Sequence, residues 1–312
     1  MKFIIPNHVN RILNKFYNNN YEAYIVGGCI RDTLIGKEPH DYDLCTNALP
    51  IESYNLFINE NIITTTGMQH GTIKIWVDDF EPVDITTYGL NPRYVKDSEL
   101  NTLANKRILF DDLARRDFTM NAMAVSKKEG LIDYFNGIND IKYKRIIFVD
   151  EPKISVKRDK QLILRAFRQA MSLNFHIESA NFNNKSIKVI TDYSNSKSIP
   201  DGISGWKRGL ELFKIMSIDF NSKDEFVSNY LLLFLNHTFP YLYTKNPFDI
   251  EVTYGKIYRQ LINNNNAYYR LALLFGNLNM EDLLFTLEEE FEYSDDIVEN
   301  IVKEYNLIGE KI

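Results

Sequence analysis

The sequence predicts an α+β protein, with an amino-terminal mixed sheet and flanking helices followed by an all-α region. Two successive patterns along the 312 residues carry that assignment. Up to about residue 135 the apolar residues come in short runs rich in β-branched side chains and bounded by Gly, Pro and Asp, which is strand patterning. Beyond Asp150 they recur at three-to-four-residue spacing, which is helical patterning.

Taken in order, strands are expected at 23–26, 42–44, 62–64, 72–77, 83–86 and 122–125, with helices at 9–16 and 51–57 between them. After the Asp150-Glu151-Pro152 turn, Leu162, Leu164, Phe167 and Ala170-Met171 mark one helix, which is expected to be long enough to bridge two domains. Trp206, Leu210, Leu212-Phe213 and Met216 mark a second, and Phe226, Tyr230-Leu231 and Leu233-Phe234-Leu235 a third. Asn clusters at 18–20 and 263–266 read as loop tips, because Asn favours turns over helix interiors. No repeat of 20–50 residues is present, which removes solenoids and propellers.

The chain is 45% apolar and 25% charged, as in globular proteins, and no apolar stretch approaches the ~18 residues of a membrane span. The start, Met1-Lys2 leading into Pro6, is too short for a signal peptide, so a cytoplasmic location is expected. Cys29 and Cys45 are too few for a disulfide framework and form no CxxC pair, and are expected to be reduced structural thiols.

Three segments carry chemistry. In the first, Val26-Gly27-Gly28-Cys29-Ile30-Arg31-Asp32 is followed by His40-Asp41-Tyr42-Asp43-Leu44. On a strand, residues two apart share a face, so Asp41 and Asp43 would present carboxylates ~6.5–7 Å apart along the backbone. Such a pair is able to hold divalent cations for phosphoryl or nucleotidyl transfer, and Mg2+ suits oxygen ligands. Gly27 and Gly28 let backbone N–H groups approach an anion at a strand-to-helix turn, a cradle for a triphosphate. Each element alone is weak, since an Asp-x-Asp pair or a Gly-Gly pair is more often a solvated turn. Asp84, inside an apolar strand, is either a third ligand or a residue on a solvated face, and its place relative to the Asp pair favours the ligand.

In the second segment, Arg115 and Arg116 offer forked donors to phosphate, and Asp117 offers an acceptor to a ribose hydroxyl; the alternative is an Arg–Asp pair locking a loop. In the third, Asn136-Gly137 signals a tight turn, and Asp133 or Asp140 is expected to cap the next helix, with a hinge as the functional alternative.

Together these segments resemble the tRNA nucleotidyltransferase and bacterial poly(A) polymerase family, a branch of the polymerase-beta superfamily. Gly27-Gly28-x-x-Arg31-Asp32 with Asp41-x-Asp43 is similar to its catalytic motif. Arg115-Arg116-Asp117-x-x-x-Asn121-Ala122 is similar to its ribose motif, and Asp133-x-x-x-Gly137-x-x-Asp140 to its head-to-neck motif. Gly67-x-x-His70-Gly71-Thr72 matches a further segment, so that the resemblance runs over about 21–175, roughly half the chain. It implies a polymerase-beta-like catalytic head (1–150), a helical neck for nucleotide selection and RNA binding (151–220) and a helical body with a short or missing tail (221–312). The implied activity is template-independent, Mg2+-dependent addition of CMP and AMP from CTP and ATP to an RNA 3′ end, most simply the CCA end of tRNA. A poly(A) polymerase or a shortened relative of altered nucleotide choice is the alternative. A non-catalytic RNA-binding head is a third reading, disfavoured because an unused site would keep carboxylates that repel one another.

In CCA-adding members a neck motif, Glu-Asp-x-x-Arg followed three residues on by another Arg, selects the base. The stretch Arg158-Asp159-Lys160-Gln161-Leu162-Ile163-Leu164-Arg165-Ala166-Phe167-Arg168 keeps Asp159, Arg165 and Arg168. Arg158 stands for the glutamate and Leu162 for the base-reading arginine, a loss of roughly 1–3 kcal/mol of discrimination. Helical spacing puts Asp159, Leu162, Arg165 and Ala166 on one face.

The formal charge of −6 seems wrong for an RNA enzyme until it is mapped. Residues 281–312 hold eleven acidic and two basic side chains, which leaves +3 for residues 1–280, and 137–168 alone carries +5. A basic neck is therefore available to phosphates, and the terminal acidic helix is expected to lie away from the RNA path.

Overall fold

A computed structural model describes residues 3–59, 62–77, 81–88, 109–177, 203–220, 225–239 and 258–309. The strand-patterned part forms one seven-stranded sheet in the order β3-β4-β5-β2-β1-β6-β7. The strands are β1 (Ala23–Val26), β2 (Asp43–Thr46), β3 (Ile62–Thr64), β4 (Thr72–Trp76), β5 (Val83–Thr87), β6 (Met123–Ser126) and β7 (Gly130–Asp133). Only β2 and β5 run parallel in it. All four residues of β1 are buried, as a central strand requires, whereas β4 alternates Ile73 and Ile75 inward with Lys74 and Trp76 outward. Helix α1 (Asn7–Asn18) buries Val9, Ile12, Leu13 and Phe16, an i, i+3, i+4, i+7 stripe, and ends where Asn20 turns left-handed (φ 61°). The mixed sheet with flanking helices is thus as the sequence predicts. Strand β2 differs in its start: it begins at Asp43, so Asp41 precedes the strand instead of lying on it.

Short helices complete this unit: α2 (Gly28–Leu34), α3 (Pro50–Phe57), α4 (Leu109–Ala114) and α5 (Gly137–Lys142). The carboxylate of Asp133 accepts from the N–H groups of Gly137 (2.8 Å) and Ile138 (2.9 Å) and so caps α5. Asp140 is buried and accepts from the Thr119 hydroxyl at 2.6 Å, which docks α5 on the turn at Thr119–Asn121.

The chain divides into two compact units, residues 1–143 with 147–150 and residues 144–146 with 151–312. The second is mostly helical, apart from β8 (Arg145–Ile146) paired parallel with β9 (His176–Ile177). The expected single helix after Asp150 is instead two, α6 (Pro152–Arg158) and α7 (Gln161–Leu173). Asp159 breaks it with extended backbone (φ −144°, ψ 100°) and accepts from the Gln161 N–H at 3.0 Å, the capping use of Asp that competes with a helix interior. Asp159 therefore does not share a helix face with Leu162, Arg165 and Ala166, and Leu162 is core at 5% exposure.

Helix α7 packs against α8 (Gly205–Met216) and α9 (Glu225–His237), and α10 (Ala267–Leu274) packs against α8 and α12 (Asp295–Gly309); α11 (Met280–Phe285) lies between them in sequence. Asn266 caps α10 through its side-chain oxygen. Arg270 is wholly buried, donating to the carbonyls of Leu261 (2.7 Å), Met216 (2.6 Å) and Ile218 (2.5 Å) and lying over the Phe220 ring. Among the described residues no helix is long and apolar enough to cross a membrane.

Gly137 has no room for a side chain, because a Cβ there would lie on the Thr119 carbonyl oxygen and 3.3 Å from the Met120 Cα. Gly137→Ala is expected to lower stability by about 1–3 kcal/mol in chemical denaturation. Gly309→Ala, at an open helix end, should stay within about 0.5 kcal/mol.

Candidate active site

Strand register draws the first segment together. Val26 on β1 faces Asp43 on β2, Asp43 faces Asp84 on β5, and Asp84 faces Lys74 on β4. Cross-strand partners share a face, so Lys74, Asp84 and Asp43 form one row of charges on one side of the sheet. The Lys74 ammonium lies 2.8 and 2.9 Å from the two Asp84 carboxylate oxygens. The Asp43 carboxyl is pushed up to about 6, first by desolvation among its neighbours, then by the charge of Asp41; Arg116 opposes the rise, Asp84 adds to it, and Lys74 opposes it.

Gly27 caps α2 at φ 87°, a conformation glycine adopts without strain. A Cβ there would sit 3.2 Å from the Arg116 guanidinium and 3.5 Å from Asp43 Oδ2. The bare glycine thus marks the point where the first and second segments meet. Gly28 begins α2, directly against the Arg31 guanidinium. Arg31 is buried; its Nε and Nη2 donate to Asp32 and its Nη1 to the Asn121 side chain at 2.8 Å. Asn121 in turn donates to Asp117 at 3.1 Å, and Asp117 also accepts from the Phe118 N–H at 2.7 Å. The order Asp32, Arg31, Asn121, Asp117 is a continuous hydrogen-bonded chain between segments about ninety residues apart.

Arg115 and Arg116 are both held by a residue that sequence reasoning missed. Asp112 on α4 is 1% exposed and accepts from Arg115 (2.5 and 3.2 Å) through one oxygen and from Arg116 (3.1 Å) through the other. Burial pulls the Arg116 guanidinium down, but Asp112, with smaller help from Asp43, more than reverses it, so the net shift is upward. The available signal was helical spacing, an acid three and four residues before two arginines. Lys74 was also missed, and only strand register reveals it.

Asp41, Asp43, Asp84, Gly27, Gly28, Arg31, Arg115, Arg116, Asp117 and Asn121 all belong to the first unit, whereas Asp159, Arg165 and Arg168 belong to the second. There Arg168 Nε donates to the buried Glu211 of α8 at 2.6 Å, and Arg165 is half-buried. Among the described residues no three His, Cys, Asp or Glu side chains converge as a ready metal cluster. Asp84 is engaged by Lys74, leaving Asp41 and Asp43 as a two-carboxylate donor set. Its chemistry fits Mg2+, which is commonly held by one or two carboxylates plus substrate phosphates, and a cation there would relieve the crowding that raises Asp43.

The sheet, its row of carboxylates and the glycine turn beneath Arg116 all lie in the first unit. Residues 23–147 match the family model of the Poly A polymerase head domain. A CCA-adding enzyme of Streptococcus pyogenes is 38% identical over 171 residues, 55% of this chain and 42% of that protein. The chain therefore matches less than half the length of such curated relatives. In fold, 98% of it superposes on 71% of the Bacillus stearothermophilus CCA-adding enzyme in complex with CTP (TM-score 0.73, 24% identity). The same share superposes on 72% of the Thermotoga maritima CCA-adding enzyme complexed with tRNA (TM-score 0.67, 19% identity).

Replacing Asp112 leaves two guanidinium groups without their buried counter-charge. Asp112→Asn is expected to cost about 3 kcal/mol in denaturant unfolding, while its exposed neighbour Asp111→Asn should change stability by less than about 0.5 kcal/mol. Burial pushes the Cys29 thiol up to about 12 and the Cys45 thiol upward as well. Neither cysteine should react with a disulfide reagent at pH 8 in the native chain, and both should react in guanidinium chloride.

Proposed function

We propose that the chain is a Mg2+-dependent nucleotidyltransferase that adds nucleotides from CTP and ATP to an RNA 3′ end, tRNA being the substrate. The observation that carries this reading is the meeting of Asp43, Gly27 and Arg116, which sets a carboxylate, an open backbone and a guanidinium around one space. The relatives' names, CCA-adding enzymes, agree with it.

In the reaction the 3′-hydroxyl oxygen of the RNA bonds to the α-phosphorus, the bond from that phosphorus to the bridging oxygen of the β-phosphate breaks, pyrophosphate leaves, and the hydroxyl proton passes to solvent. Asp41 and Asp43 would hold the cation, with Asp84 the third candidate ligand. When bound, it lowers the barrier by activating the attacking hydroxyl and neutralising charge on the leaving pyrophosphate. Gly27 and Gly28 leave the turn open to the triphosphate, and Arg116, fixed by Asp112, supplies a positive charge at its edge beside Arg115. Asp117 accepts from the ribose, held in place by Asn121; Arg31 positions both through its bonds to Asn121 and Asp32. Residues 1–150 act as the head, 151–220 as a neck in which Asp159, Arg165 and Arg168 serve nucleotide binding, and 221–312 as a body. Such an enzyme works in the cytoplasm.

The buried Leu162 favours a second version of this chemistry, in which nucleotide choice is altered and AMP addition dominates. Both are tested by supplying each nucleoside triphosphate separately, on tRNA lacking its last three residues and on unrelated RNA. C and A incorporation confined to tRNA supports CCA addition, and A incorporation alone on either RNA supports the second version. Asp41→Ala and Asp43→Ala should each lower incorporation on the order of 10³-fold. Full activity in both variants, or RNA binding with no turnover, would overturn the proposal.

A further inference from the structure

Lys74 has no part in the reaction described above, yet it occupies the end of the charged row. It stands directly opposite Asp84 in the β4–β5 ladder, and its ammonium touches both carboxylate oxygens, at 2.8 and 2.9 Å. Asp84 stands directly opposite Asp43 in the β5–β2 ladder. We propose that Lys74 is an internal competitor for the third carboxylate: its ammonium occupies Asp84 and thereby weakens divalent-cation binding at Asp41 and Asp43. The inference rests on reading those two aspartates as the cation's ligands.

Three features of the row support competition over ordinary surface pairing. First, the contact is set by register and not by chance approach of long side chains, because Lys74 and Asp84 are paired residues of neighbouring strands. Two residues along the same ladder, Thr72 and Thr86 are also joined, hydroxyl to hydroxyl at 2.9 Å, which supports this register. Second, the ammonium lies within ion-pair distance of both Asp84 oxygens but donates a hydrogen bond only to Oδ2, leaving the buried Oδ1 without a hydrogen-bond partner, an acceptor that a cation would satisfy. Third, both side chains are partly open to solvent (45% for Lys74, 34% for Asp84), so the pair is reversible and a divalent ion is able to displace it. Lysine is suited to this because its ammonium is a compact charge on a flexible stem. The result is a site that presents two carboxylates to a cation, the third being released only against a competing positive charge.

The test is Mn2+ binding to the metal-free 312-residue chain, followed by electron paramagnetic resonance, so that activity is not the readout. In a solvent-exposed site at physiological salt, the field of one positive charge ~7 Å from a divalent ion is screened to about twofold in affinity or less, whereas freeing a carboxylate to approach the ion to ~4 Å adds about tenfold. Lys74→Met should therefore tighten Mn2+ binding about tenfold, and Lys74→Arg should leave it within about twofold. In an Asp84→Asn background, Lys74→Met should change affinity by less than about twofold. Lys74→Gln gives the same reading if the Met variant does not fold, as judged by circular dichroism. Unchanged or weaker binding in Lys74→Met overturns the proposal, and so does equal tightening in the Asp84→Asn background, which would make Lys74 a general field and not a competitor for Asp84. Asp43→Asn separates the two levels. Wild-type Mn2+ affinity in that variant overturns the ligand assignment itself, whereas lost binding there with no effect of Lys74→Met overturns only the competition.

Discussion

The site depends on strand register. Side chains alternate faces every residue along a strand, so a one-residue slip of β2 against either neighbour would carry Asp43 to the opposite side of the sheet. What prevents the slip is the core: Tyr24, Ile25 and Val26 on β1 pair with Cys45, Leu44 and Asp43, and the apolar members of those pairs are buried. A slipped register would bring Asp43 toward the face now filled by Leu44. The hydrophobic effect thus sets the position of a carboxylate that contributes nothing to the core itself, and the same register aligns Asp84 and Lys74.

A second constraint concerns buried charge. Three arginines surround the acidic row or its support, and each has a named carboxylate: Arg31 has Asp32, and Arg115 and Arg116 share the buried Asp112. Taking ions out of water is costly unless they are paired, so these pairs are conditions for folding as much as parts of a site. Arg116 joins the two roles. Its Nη2 is anchored on Asp112 while its Nη1 borders the space above Gly27 next to Asp43. The anchor fixes where the other nitrogen points, which is how a structural ion pair sets the electrostatics of a reacting centre.

The fold was largely legible because period-two and period-3.6 patterns are local: the strands around Ile25, Ile73 and Ile85 and the helix around Ile12 follow from apolar spacing alone. The grouping of Gly27, Asp43 and Arg116 was legible through motif resemblance, not through periodicity. Where reading failed, the cause was non-local or a competition between local terms. Asp159 has the capping chemistry of its type, and this broke a helix that spacing alone would continue. Lys74 is an outward residue of an alternating strand, and its partner is set by a ladder that one sequence does not display. Asp112 was readable in principle from its spacing to Arg115 and Arg116, but nothing in its neighbourhood marked it as buried. Leu131 and Ile132 lie in β7, an edge strand that the turn signal of Asn136-Gly137 overshadowed.

The position at which the resemblance implies a base-reading arginine is taken here by a packed leucine, Leu162. A fully buried leucine contributes roughly 1.5–3 kcal/mol through the water it excludes, and an arginine in the same place would bring a charge into the core of the helical unit. Leu162 is therefore not an isolated substitution of a reading residue by a silent one; it is a core position. Nearby, Glu211 of α8 is buried and receives the Arg168 guanidinium, with Gln161 Nε2 at 3.5 Å from its other oxygen. Gln161 and Arg168 thus converge on one buried carboxylate from opposite ends of the same stretch of α7. Of the three neck residues singled out by motif, Asp159 caps a helix and Arg168 neutralises a buried glutamate, so structural duties already fix two of them. Any contact that α7 makes to a base then has to work through a helix whose geometry is set by those duties.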